Sequence, residues 1–280
     1  MRALGTAVVM VALFLSSSAQ ATAQEELEQE APEQTPEEDA PEQSPQEDAA
    51  RPFVAGSVDV GFLYLRPRFS FGYGKPFGSW LGVDLNPILS SIGLGAYGGA
   101  RFALPHVNLR VGARYYSAFR RSFLVPSVSY TRVEIEDQAG DVSHYLSVEA
   151  ELSFSLRAGP GIISAEAAAT AVLLVPGNYY VFEETLRTVV APPWVWRARV
   201  GYLFVFGPER RIRVGPVVEV VGVPGREYLS LRAGLTARMP LWDTIEVRAT
   251  LVPPILSRDE LGAHGGDSFL LGIRWRWATG

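Results

Sequence analysis

Alternation of apolar and polar positions dominates this chain. In residues 142–157, Leu146, Val148, Ala150, Leu152, Phe154 and Leu156 alternate with Ser147, Glu149, Glu151, Ser153, Ser155 and Arg157. A period of two predicts a β-strand with one apolar and one polar face. The apolar face runs over 11 residues, from 146 through 156. At about 3.3 Å per residue and a tilt of roughly 40°, it covers about 25 Å, the height of the lipid band around an outer-membrane barrel. Ala158, Gly159, Pro160 and Gly161 predict a turn. Residues 162–175 then alternate again, with Ile163, Ala165, Ala167, Ala169, Ala171, Leu173 and Val175 against Ser164, Glu166, Ala168 and Thr170. The alanine-rich part favours helix by propensity, whereas the strands on both sides favour strand.

The same period recurs along the chain. It predicts strands at 56–73, 79–86, 92–104, 107–119, 123–136, 142–157, 162–175, 194–206, 211–222, 227–239, 244–253 and 267–277. The segment 194–206 sets aromatic residues at both ends of its apolar face, with small apolar residues between, which is the girdle pattern of a strand crossing a bilayer. Pro216 cannot donate to a ladder and predicts a local irregularity, and Asn86 followed by Pro87 predicts a break. The predicted fold is all-β: a closed, antiparallel, up-and-down transmembrane β-barrel of about 12 strands. The first three segments are interrupted by glycine and proline, so 10 is the alternative count. An even count puts both termini on one side, the periplasm. The turns at 158–161, 207–210 and 240–243 then lie inside and the longer loops at 176–193 and 254–266 outside.

Residues 1–23 predict a cleaved export signal: Arg2, then the apolar run Ala7–Leu15, then a small-residue site ending at Ala23. Nine apolar residues are too few to span a bilayer, and no later run reaches the 18 or so that a membrane helix needs. Residues 24–52 predict a disordered periplasmic tail rich in Pro, Glu and Gln, in which residues 31–39 are nearly repeated by 40–48. A solvated spacer is one reading of it; an arm for a basic periplasmic partner is the other. The barrel is predicted over 53–280. Residues 25–48 hold 11 acidic and no basic residues. Removing them and Arg2 from the totals of 30 acidic and 25 basic leaves 19 and 24, so the rest of the chain is basic. Those arginines are interleaved within strands, which argues against nucleic acid as a partner. With no cysteine, the chain has no disulfide, thiolate metal site or lipid-modified cysteine.

The export signal, the dyad strands and the closing strand Ser268–Trp277 resemble those of a bacterial outer-membrane β-barrel protein of the small porin-like kind, over residues 51–280. The resemblance implies a Gram-negative outer membrane, contact with its lipid, and a last strand read by the barrel-assembly machinery. In that family this strand ends on an aromatic residue, whereas here Trp277 is followed by Ala278, Thr279 and Gly280.

On this threading the inward charges are Asp59, Arg110, Arg114, Arg132, Glu134, Glu149, Glu151, Glu166, Arg197, Arg199, Arg213, Glu219, Arg232, Arg238, Glu246, Arg248, Arg274 and Arg276. They could form an Arg–Glu network that fills the lumen, or line a narrow aqueous pore whose surplus arginines favour anions. The girdle residues are Trp194, Trp196, Tyr202, Phe204, Phe206, Trp275 and Trp277. The expected function is a structural barrel or passive small-solute pore, without cofactor or metal. A lipid-processing or proteolytic barrel is an alternative, resting on His264, Asp267 and Ser268 in an outer loop. A surface-binding barrel is another, resting on Tyr179, Tyr180 and Phe182.

Overall fold

The computed structural model describes residues 50–61, 64–136, 140–207 and 212–279. The predicted signal, and the predicted tail up to residue 49, lie outside the described residues.

Seven strands come first: β1 (Arg51–Gly61), β2 (Tyr64–Gly74), β3 (Trp80–Ser90), β4 (Gly93–Ala103), β5 (Val107–Ser122), β6 (Val142–Ala158) and β7 (Gly161–Leu173). Two three-residue strands, β8 (Val181–Glu183) and β9 (Thr188–Val190), pair only with each other. Then follow β10 (Trp194–Phe206), β11 (Ile212–Val223), β12 (Tyr228–Pro240), β13 (Ile245–Val252), β14 (Pro254–Leu256) and β15 (Asp267–Ala278). Each long strand pairs antiparallel with the next, and β15 returns to β1 through registers such as Asp59 opposite Arg274. Both β13 and β14 pair with β12 and act as one interrupted wall strand. The result is a closed barrel of 12 strands. Closure leaves no unpaired edge, which is what a strand-built body in hydrocarbon requires.

The outer surface is the apolar face. Val148, Leu152 and Leu156 on β6, Leu109 and Val111 on β5, and Leu271 and Ile273 on β15 are all more than 40 % exposed. A water-soluble sandwich would bury these side chains; a continuous exposed band of them marks a surface that meets lipid.

The count of 12 agrees with the sequence reading, but two of the strands do not. The predicted strand 56–73 is two strands, β1 and β2, reversing between Gly61 and Tyr64. The predicted strand 123–136 is not a strand. Pro126 interrupts it, and Ser127 and Tyr130 bond locally to its backbone. Residues Arg132–Glu136 then make one helical turn. Thr131 and Glu134 form a capping box there: the Glu134 carboxylate accepts from the Thr131 amide at 2.6 Å, and the Thr131 hydroxyl accepts from the Glu134 amide at 3.4 Å. The extra strand and the missing one cancel. Asn86 and Pro87 do not end β3 either, since Pro87 holds its register opposite Ala96 and the strand reaches Ser90. Pro216 does disturb its ladder. Pairing between β10 and β11 skips Tyr202 and Leu203, while Pro216 stays in register with Leu235 on β12. The segment 162–175 is a strand through Leu173, as alternation and neighbours required.

Candidate functional site

On the face opposite the apolar band, the charges meet across the ladders in rows. Glu166, Arg199, Glu219 and Arg232 stand directly opposite one another across β7, β10, β11 and β12. Glu246, Arg274, Asp59 and Arg66 do the same across β13, β15, β1 and β2. Directly opposed residues bring their Cβ atoms to about 5 Å, so alternating signs along a row let each charge find a partner. Arg199 donates to Glu219 and to Asp267, each at 2.6 Å, and Arg232 donates to Glu219 at 2.7 Å. Arg274 grips Asp59 through two nitrogens. Arg110 donates to Glu149 at 3.3 Å and to Glu151 at 3.1 Å. Arg114 pairs with Glu149, Arg197 lies 3.5 Å from both Glu151 and Glu166, and Arg248 pairs with Glu246.

Five of the predicted interior charges depart from this pattern. Arg132 and Glu134 sit on the helical turn, exposed, because their segment is not a strand. Arg213 is exposed at the end of β11, opposite Arg238, and Arg238 stands opposite Arg248, so this row carries three like charges. Arg276 stands opposite Ser57. Sequence reasoning also omitted several charges of the same face. Asp84 accepts from Ser70 at 2.6 Å and from Arg101 at 3.3 Å, and Arg66 and Arg68 belong to β2, which the alternation alone does not separate from β1. The signal that could have found them is local: Arg66, Arg68 and Ser70 alternate with Leu65, Phe69 and Phe71.

At the end opposite the termini, the barrel is occupied by its own chain. Every residue of β8 and β9 is buried. Val181, Leu186, Val190 and Ala191 pack against Tyr116, Tyr145, Val172, Val195, Val221, Val223 and Tyr228, which come from β5, β6, β7, β10, β11 and β12. The hairpin is therefore folded inward against the walls. Phe182 and Val189 join Leu124, Tyr130, Ile135 and Leu261 in a second cluster that ties the hairpin to two loops. Ion pairs fix it further. Glu183 meets Arg114 at 3.5 Å, Glu184 pairs with Arg121, and Arg187 meets Asp267 at 3.7 Å. Burial pushes the Glu184 carboxyl up to about 7, against the opposing pull of Arg121. Phe182 is thus a core residue, and of the three aromatics expected to face a partner only Tyr179 is well exposed.

One buried pair joins the whole mouth. Arg226 donates to Asp259 through both terminal nitrogens, at 2.8 and 2.6 Å, and the same guanidinium donates to the Val189 and Val128 carbonyls. It lies between the rings of Tyr130 and Tyr228, 4.8 and 4.9 Å from their centroids. Neither residue stood out in the sequence, since a loop Arg and a loop Asp 33 positions apart carry no pattern.

The His264, Asp267 and Ser268 grouping does not assemble as a relay. His264 turns its Nε2 to Glu136 at 3.4 Å and its Nδ1 to Arg121 at 3.5 Å. Asp267 is committed to Arg199 and Arg187. Ser268 is a backbone member of β15. Burial and Arg121 hold the His264 ring below its ordinary pKa of 6.5.

Of the aromatic residues expected at the girdles, Trp194, Phe204, Phe206 and Trp275 are more than 40 % exposed. Trp196, Tyr202 and Trp277 are half-buried because each ring lies over a glycine of the neighbouring strand, Gly222, Gly161 and Gly56 respectively. There the missing side chain leaves a shelf for the ring.

Closure, the exposed apolar band and the charged interior define the class: this is the fold of an outer-membrane β-barrel, porin-like in architecture. No protein-family model matches the chain, and no curated protein matches it. Solved structures similar to it include the KdgM porin, 5% identical over 80% of this chain and 98% of that one, with a TM-score of 0.40. An outer membrane channel from Pseudomonas putida F1 is 9% identical over 84% and 98%, with a TM-score of 0.42. OmpT, an outer membrane protein of Vibrio cholerae, is 9% identical over 82% and 98%, with a TM-score of 0.31.

Proposed function

We propose that the chain is an integral outer-membrane barrel whose interior is a small-solute passage lined by arginine and carboxylate side chains. In the conformation described, the hairpin of β8 and β9 closes that passage at the loop end. On this reading, the residues flanking the apolar band, Trp194 and Trp196 at one level and Phe204, Phe206, Trp275 and Trp277 at the other, sit in the two headgroup regions. The observation that carries the reading is the inward-folded hairpin: a chain segment held against six wall strands by ion pairs and an apolar cluster, at one end of a barrel whose interior wall carries the paired charges.

Planar-bilayer recording on refolded protein tests it. The intact chain should conduct rarely, and a variant with residues 180–190 replaced by a short Gly-Ser link should show sustained steps. A folded deletion variant without conductance would sink the passage reading. It would leave the second reading, a structural barrel filled by its Arg–Glu rows, which the density of buried ion pairs favours.

A further inference from the structure

The end of the barrel that carries the termini holds a cavity of about 220 Å³. Its wall contains Arg68, Arg101, Arg274 and Arg276, and no carboxylate among its lining residues. Two of these arginines are committed: Arg274 to Asp59, and Arg101 to Asp84 and Asn108. The other two are not. Among the described residues, neither Arg68 nor Arg276 has a carboxylate within ion-pairing distance. The Arg276 Nε is buried without a hydrogen-bond partner.

The register explains the surplus. Arg66, Asp59 and Arg274 form an alternating row across β2, β1 and β15. Two residues nearer the termini, the corresponding row is Arg68, Ser57 and Arg276. Serine stands where the row above has aspartate, so neither arginine of this row has a carboxylate directly opposite it across the ladder. The second interior cavity, about 210 Å³, differs in that two carboxylates, Glu166 and Asp267, share its wall with Arg199, Arg238 and Arg248.

We propose that the cavity bounded by Arg68, Ser57 and Arg276 binds a compact oxyanion carrying two negative charges, of the class of inorganic phosphate or a phosphomonoester. Two uncompensated guanidinium groups match a dianion in charge, and their planar forks match a tetrahedral oxyanion in geometry. Ser57, in register with both and lining the same cavity, offers its hydroxyl as a further donor. Phe53 and Trp80, edge to face at 5.4 Å, supply an apolar wall that lowers the local dielectric and strengthens the attraction. The site needs access from the end with the termini and does not need conduction through the barrel.

Isothermal titration of the detergent-refolded protein at low ionic strength tests it, with inorganic phosphate, methyl phosphate and succinate as probes. The expected result is one saturable site for phosphate and methyl phosphate, weaker for succinate, and weakened by added salt. Arg68→Gln and Arg276→Gln should each lower phosphate affinity about tenfold. Ser57→Asp should do at least as much while preserving the fold, because it installs the carboxylate that the row lacks. Arg132→Gln, on the exposed helical turn at the other end, should change nothing. Heat-modifiable gel migration checks that each variant is folded. No saturable phosphate binding by the parent protein, equal binding of succinate, or binding that survives Ser57→Asp would overturn the proposal. A protein that conducts without binding phosphate loses the site and keeps the passage; one that binds and never conducts does the reverse.

Discussion

Replacing Asp259 with Asn should unlock the mouth while leaving the barrel intact. Asp259 and Arg226 have side chains 0 % and 1 % exposed. The carboxylate accepts two bonds from Arg226 and one, at 3.0 Å, from the Tyr130 amide. Through Arg226 it also holds the Val189 carbonyl of β9 and the Val128 carbonyl of the preceding loop. Asparagine keeps the volume but leaves Arg226 as a buried charge without a counter-charge, and it turns an amide donor toward a guanidinium donor. Removing one partner of a buried pair costs about 3–5 kcal/mol. At about 1.4 kcal/mol per tenfold, the low end of that range raises the population with the hairpin displaced by roughly a hundredfold. Native-state hydrogen exchange resolves this from global unfolding. Amides of Val181–Glu183 and Thr188–Val190 should exchange about a hundred times faster in Asp259→Asn, while those of β5 and β6 at mid-strand keep their protection. Unchanged hairpin exchange would refute the role assigned to the pair. Equal acceleration across all strands would refute the separation of hairpin from wall.

Three further outcomes are expected. Hairpin docking should weaken as pH rises from about 4.5 to about 7, with His264 offsetting part of that fall just below 6.5. The docked Glu184 has its carboxyl raised from 4.5 to about 7, so its contribution is full below 4.5 and is lost as pH rises through about 7. The His264 pKa is lowered from 6.5, so its contribution is present above 6.5 and is lost as pH falls through the lowered value. Exchange at the hairpin amides read across pH checks this, and Glu184→Gln should remove the alkaline limb; a flat profile in the parent protein would count against it. Leu152→Arg, in the middle of the exposed face of β6, should destabilise the vesicle-embedded barrel by about 2–4 kcal/mol in reversible urea unfolding, and a change within about 0.5 kcal/mol would contradict a lipid-facing position. Glu219→Ala strips Arg232 and Arg199 of their shared carboxylate and should cost about 3–5 kcal/mol in the same assay, with a loss under about 1 kcal/mol arguing that the row is not a structural element.

The barrel wall was legible because lipid and interior impose opposite chemistry on alternate residues. That is why β6, β10 and β15 read plainly from Leu146–Leu156, Trp194–Phe206 and Phe269–Trp277. Alternation marks faces but not reversals. The period carries through Val58, Val60 and Tyr64 although the chain turns back between Gly61 and Tyr64, so two strands read as one. The segment 123–136 misled in the opposite way. Ser129, Thr131, Val133 and Ile135 alternate by accident, whereas the Thr131 to Glu134 spacing is a helix start. The interior pairs were legible in part, since charges at alternate wall positions must face one another somewhere. Which charge meets which depends on register, and register depends on turns that the pattern does not fix. The hairpin leaves a trace in the wall sequence. Val172, Val195, Val221 and Val223 occupy wall positions that alternation assigns to the interior, where a water-filled lumen would call for polar residues. Apolar residues there require an apolar partner inside the barrel, and Val181, Leu186 and Val190 supply it.

These features combine along the barrel axis. Near the termini the wall is cationic, because Ser57 interrupts a row that Asp59 balances one step further in. At mid-height the Glu166–Arg199–Glu219–Arg232 row balances its own charge and fills the space with paired side chains. At the loop end the interior turns apolar and is packed shut. On the two proposals above, an anion entering from the termini side would meet attraction, then neutrality, then a closed surface. If the barrel passes solute as proposed, control would fall to the hairpin rather than the arginines, since the arginines can concentrate a solute but cannot move Val181 and Val190 out of contact with six strands. Mutations at Arg68 or Arg276 should accordingly alter occupancy and leave opening unchanged, whereas mutations at Asp259 or Arg226 should alter opening and leave occupancy of the termini-side cavity unchanged. Recording open probability and phosphate affinity on both sets of variants separates the two effects, and a variant of either set that shifts both quantities together would show that the two ends are coupled through the wall.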